Sequence, residues 1–331
     1  MFNKIPRKVH SQLSGFSRPQ FGQLITWFLI YVAIEEVFSE LPAATGDRAG
    51  TVTVLSFLPG LLDSAAVFIL ARWVLVIAGI LWALQLLLPF SSWLTAIAIT
   101  TVVAIRYENA DHISHVYNLT NMVLVIHAMW YHFHYRKIKE ALGKNCFWQS
   151  ELYPNWAFYL SLFCIAIYHT FAGLSKLVAS GPQWANGLSL QLWVHLWGRD
   201  NSFSADLIVS NRAVAQLLQC ATLIIETLAI TAVLFRRLRW LVGLGLVCLY
   251  VGILDTFNYR FHFNMILLIC FFFPLNELLN HWSYVASRSC KVTVELTVGK
   301  TAQKLIAFCV ERINMLGITK LKFNDPTGES P

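Results

Sequence analysis

Residues 156–178 read WAFYLSLFCIAIYHTFAGLSKLV, and this stretch decides both the fold class and where a function is sought. From Trp156 to Leu174 there is no Asp, Glu, Lys or Arg. The run is about as long as the roughly 20 residues that an α-helix needs to cross a bilayer. It then reaches Lys176, a lone amine on a helix otherwise suited to hydrocarbon. Ionisable groups at membrane depth are costly, which makes them functional candidates by default. Ala172, Gly173 and Ser175 beside it are small, and small residues let a second helix approach closely. Such packing leaves an amine poorly solvated, which disfavours its ammonium form. A neutral amine can accept a proton, the first requirement of a general base.

The same apolar signal repeats along the chain, at about 22–38, 65–88, 92–107, 115–133, 156–178, 213–235, 238–255 and 261–279. Of 331 residues, 56% are hydrophobic and 13% charged, against about 25% charged in soluble domains. Too little charge is present to clothe a water-soluble protein of this size. The 12 Trp and 23 Phe suit bilayer interfaces and lipid-facing surfaces. The expected fold is therefore an all-α polytopic membrane protein with about eight transmembrane helices, or seven if the short run 92–107 is re-entrant. Residues 1–21 form an N-terminal segment, 22–280 the transmembrane domain and 281–331 a small C-terminal α+β region. In that region Val292, Val294, Leu296 and Val298 alternate with more polar residues, as in a strand. Residues 301–316 look amphipathic, and Thr319 to Phe323 suggest a second strand. The first apolar run holds Glu35 and Glu36 and lacks a convincing cleavage site, so it reads as a retained helix.

Basic residues set the orientation. Lys4, Arg7, Lys8 and Arg18 precede the first run; Arg136, Lys137, Lys139 and Lys144 follow the fourth; Arg236, Arg237 and Arg239 separate the sixth from the seventh. Arg288, Lys291, Lys300, Lys304, Arg312, Lys320 and Lys322 lie in the tail. The alternate segments hold only Arg48, Arg106, Arg199, Arg212 and Arg260. By the positive-inside rule both termini are cytoplasmic. The formal charge of +7 is explained by this asymmetry, and no nucleic-acid partner is expected. The seven cysteines show neither CxxC pairs nor metal-like spacing. Cys164, Cys220, Cys248 and Cys270 read as packing residues inside apolar runs.

With that orientation, polar groups gather toward the outer leaflet. They include Glu35, Glu36, Arg72, Asp111, His112, His115, His169, Lys176 and the 255–264 segment with Asp255, Asn258, Arg260, His262 and Asn264. Glu226 alone lies deeper, and sequence leaves open whether it touches Lys176. A cavity open to the outer side is one reading; snorkelling to the interface is the other. His112 and His115, three apart, share a face if their helix has begun, and can bind a metal or hydrogen-bond a substrate oxygen. His127, His132 and His134 read as interfacial aromatic-belt residues. No P-loop, nucleophile elbow, dinucleotide fingerprint or zinc motif is present.

The stretch Phe171-Ala172-Gly173-Leu174-Ser175-Lys176-Leu177, followed by Trp184-Ala185-Asn186-Gly187, resembles the AGxxKL…WxxG signature of the HTTM (horizontally transferred transmembrane) family. That family includes vitamin K-dependent γ-carboxylase. Asn109-Ala110-Asp111-His112 ahead of Tyr117 is similar to the family's Asn-His segment, and Glu226 followed by a polar turn and a Phe-rich last helix is similar too. The likeness covers about residues 20–280. It implies that Lys176 deprotonates a reduced quinone, a vitamin K-like naphthoquinone in the carboxylase, with His112 assisting and Glu226 and Asp255 in the same site. The carboxylase's large lumenal β-rich region has no counterpart here. An apolar residue near Val251 stands where the family places a histidine, with Asp255 nearby. Both differences argue against carboxylation of protein glutamates.

Three functions follow as expectations, one of them a metal- or haem-binding membrane protein using His112 and His115. Another is a carboxylase-like or quinone-dependent membrane enzyme with an intramembrane lysine base and a lipid-soluble substrate. The third is a non-catalytic transport or assembly module that meets a cytoplasmic or membrane protein partner through its tail.

Overall fold

Helices follow the apolar runs in the computed structural model, which describes residues 15–38, 65–109, 117–259, 261–279, 281, 292–297, 300–313 and 319–324. A two-residue strand β1 (Phe16–Ser17) precedes α1 (Gln20–Phe38), α2 (Ala65–Ala83), α3 (Phe90–Asn109), α4 (Asn118–Phe133) and α5 (Tyr135–Gly143). Strand β2 (Tyr153–Pro154) leads into α6 (Asn155–Ser180). Then come α7 (Leu188–Trp197), α8 (Phe203–Ser210), α9 (Arg212–Thr227), α10 (Thr231–Leu234), α11 (Arg236–Phe257) and α12 (His262–Phe272). Past them lie β3 (Val292–Thr297), α13 (Lys300–Ile313) and β4 (Thr319–Asn324), with β3 and β4 paired in parallel.

Three described helices are long and apolar enough to cross a membrane: α2 over Ala66–Ala83, α6 with its continuation to Ala185, and α11. The pair α8–α9 makes a fourth if its 110° bend is counted as one broken span. Phe90–Ile105 and His262–Phe272 are apolar but shorter. The run 213–235 is thus not one straight helix. Asn211 caps α9 at its start, its Oδ1 accepting from the backbone N–H groups of Ala213 (3.0 Å) and Val214 (3.3 Å), as Asn does at helix N-termini. At the other end the Ile230 N–H donates to the Thr170 hydroxyl on α6 (3.0 Å) instead of continuing the helical ladder. Helix α12 stops at Phe272 because Phe273 is extended, the backbone state favoured before a proline, here Pro274.

The chain divides into two units, residues 1–114, 124–157 and 275–331 in one and 115–123 with 158–274 in the other. In the first, β1 pairs antiparallel with β2, and aromatic rings fill the interior. Trp82, Trp130, Tyr131 and Tyr153 are fully buried. The Trp130 indole donates to the Leu152 carbonyl (2.8 Å), and the Tyr131 hydroxyl donates to the side-chain oxygen of Gln23. Arg312 on α13 donates to the Gln85 side chain (3.2 Å), after α2. In the second unit, α11 packs on α12 where Gly243 leaves room for Phe272. Val194, Ala205, Ile208 and Ala215 close a smaller core with Leu190 and Phe257. Helix α11 ends in a left-handed Asn258, whose N–H returns to the Leu254 carbonyl (2.9 Å), a common helix stop.

Candidate functional site

Gly173 sets the site's geometry. A side-chain carbon there would lie 2.6 Å from the backbone nitrogen of Thr227 and 3.0 Å from the Cβ of Glu226. Only a glycine lets α6 and α9 come this close, which brings Lys176, about one turn further along α6, against α9. Its ammonium group forms an ion pair with the Glu226 carboxylate. The Lys176 side chain is 25% exposed and that of Glu226 8%. Lys176 also lies over the Trp184 ring, 5.1 Å from its centroid, an arrangement that attracts a cation electrostatically. Trp184 is carried on the turn Gly181–Ala185. That turn leads to Gly187, whose φ of +82° suits glycine and whose N–H donates to the Gln219 side chain on α9 (2.7 Å).

Deeper on α6 stands His169, only 2% exposed, with no hydrogen-bond partner for its Nε2. It stands on the same helix as Lys176, and its ring meets that of Tyr250 edge-on at 5.7 Å. Tyr250 on α11 stands beside Asn264 of α12. Asn264 is fully buried, with the Tyr250 side chain within hydrogen-bonding reach of its amide. The second unit therefore holds an ion pair, a buried histidine whose Nε2 has no hydrogen-bond partner, and a buried amide beside Tyr250. Buried polar groups are nearly always paired, so such an orphan marks a place where a ligand's polar atom can fit. Together the groups can hold a proton, stabilise a developing anion and orient an oxygen.

Of the four residues singled out in sequence, Lys176 and Glu226 come together. Asp255 is engaged elsewhere: its Oδ2 accepts from the hydroxyls of Ser202 (3.1 Å) and Ser204 (2.5 Å) and the N–H of Ser204 (3.3 Å), fastening α8 to the end of α11. His112, with His115 and Asp111, lies outside the described residues. Among the described residues, no three His, Cys, Asp or Glu side chains gather as a metal site would require. His127, read from sequence as interfacial, is fully buried and bonded to Thr26 (2.8 Å). Tyr250 went unnoticed in the sequence. Its only signal is a shared helical face with Gly243 and Leu246, which are also buried. No known family model, curated protein or solved structure matches the chain.

Proposed function

We propose that the chain is an integral membrane enzyme of the HTTM type. Its Lys176–Glu226 pair takes a proton from a lipid-soluble substrate bearing an acidic hydroxyl, with a reduced quinone as the class the resemblance names. The observation that carries this reading is the ion pair inside apolar helices, with the unpaired Nε2 of His169 on the same helix as Lys176. A quinol has the matching groups: its hydroxyl can donate to the Glu226 carboxylate, and its oxygen can accept from the Asn264 amide N–H or from a protonated His169 Nε2. Lys176 then acts within a pair. Glu226 accepts the proton, and the ammonium group of Lys176 stabilises the new oxyanion, an electrostatic role that gains strength where water is excluded. Eight spans with both termini cytoplasmic belong to the same proposal. The Arg312–Gln85 hydrogen bond supports it, because it joins the tail to the α2–α3 turn, and the basic-residue count puts both inside.

The test uses the full chain in lipid nanodiscs with a reduced short-chain naphthoquinone in air. Deprotonated quinol loses two electrons to dioxygen, giving quinone and, with two protons, hydrogen peroxide; quinone absorbance follows the rate. The wild type should accelerate this oxidation, and Lys176→Met should remove the acceleration while far-UV circular dichroism stays unchanged. Absence of acceleration by the wild type, or equal rates for a folded variant, would overturn the base reading and leave the assembly reading in its place.

A further inference from the structure

A cavity of about 410 Å³ opens between α8, α9 and α11 in the second unit, within the size range of small-molecule sites. It does not belong to the Lys176 cluster. Gly252 on its wall and Tyr250 in the cluster are two residues apart on α11, about 200° around the helix. The cavity's lining follows two helices. Val214, Leu218 and Ile225 line it along α9, and Gly245, Cys248 and Gly252 along α11. At 1.5 Å per residue, Val214 to Ile225 covers about 16 Å. At one end of these rows the Ile225 side chain packs against Gly245. Near the other end the lining includes Ser204 and Thr256, whose hydroxyls meet at 2.7 Å. The Asp255 carboxylate accepts from Ser204 at that end, which disfavours an anionic head there.

We propose that this cavity binds a single-chain lipid alcohol, its hydrocarbon running along α9 and α11 and its hydroxyl at Ser204 and Thr256. The apolar length selects one chain, the two hydroxyls select a hydrogen-bonding head, and Asp255 selects against a carboxylate head. This site stands on the cavity alone and does not depend on the chemistry at Lys176.

Cys248 lines the cavity and is exposed, so its alkylation reports occupancy. The full chain in nanodiscs is treated with N-ethylmaleimide with and without dodecanol, and the Cys248 and Cys220 peptides are quantified by mass spectrometry. At tenfold excess over Kd the free fraction falls to roughly a tenth, so Cys248 alkylation should slow about tenfold, with Cys220 unchanged. A carbon added at Gly252 meets no atom within 4 Å, so Gly252→Leu fills the cavity without a clash and should abolish the protection. Lys176→Met should leave protection intact, which separates this site from the proton-transfer reading. Absence of protection by dodecanol, undiminished protection in Gly252→Leu, or equal protection by dodecanoate would each overturn the proposal.

Discussion

His127 on α4 and His169 on α6 are both closed off from solvent, yet their rings are furnished in opposite ways. Thr26 on α1 meets the His127 Nδ1 at 2.8 Å and the Tyr153 hydroxyl faces its Nε2 at 3.5 Å. The surroundings are wall-to-wall aromatic, with Trp130 and Tyr153 each 5.8 Å from the ring. His169 has an aromatic neighbour in Tyr250, but its Nε2 has nothing to bond. The first histidine is committed to packing; the second keeps a polar atom in reserve beside an ion pair. Burial alone therefore does not separate the two histidines; their hydrogen-bond partners do.

The sharpest way to break this contrast is to remove the charge beside His169. Glu226→Ala leaves Lys176 without its carboxylate in an apolar setting and should cost about 3 kcal/mol, the low end for broken buried pairs because a quarter of the lysine side chain stays exposed. Unfolding titrations in detergent would read this. The double variant Lys176→Met/Glu226→Leu should recover most of the loss, since matched apolar replacement removes both charges together. Next in size is His127→Phe, which keeps an aromatic ring but removes one of the two partners of the Thr26 hydroxyl, the other being the Gly22 carbonyl (2.8 Å). It should cost about 1–2 kcal/mol in the same titration. His169→Phe should have the smallest effect on stability, within about 0.5 kcal/mol, because no hydrogen bond is lost. It should still weaken quinol binding about tenfold, as expected for one neutral hydrogen bond of about 1.4 kcal/mol, measured by equilibrium dialysis. A His169→Phe protein as destabilised as His127→Phe would erase the distinction.

Hydropathy found the apolar run around α6 and the odd charge of Lys176 because both are local properties of the sequence. It could not find the partner. Lys176 and Glu226 are fifty positions apart, and their meeting depends on the approach of α6 to α9 at Gly173. Nor could it see that Asn211 bends the chain between α8 and α9, since a capping side chain within an apolar stretch barely alters mean hydropathy. Asp255 stands out in sequence as an acid at the end of an apolar helix, but its serine partners lie about fifty positions away in the chain, at α8. His127 was placed at the interface because it lies near a run's end; its burial comes from Thr26 and Tyr153, remote in sequence.

The absent side chain at Gly173 also has a mechanical meaning. With α6 and α9 nearly in backbone contact, neither can roll or slide on the other without collision. Turning α9 by one residue, about 100°, would also carry Glu226 off the face that meets Lys176. Helix register and charge pairing are thereby locked as one bolt, and any gating motion in this region must carry α6 and α9 together as a single rigid piece.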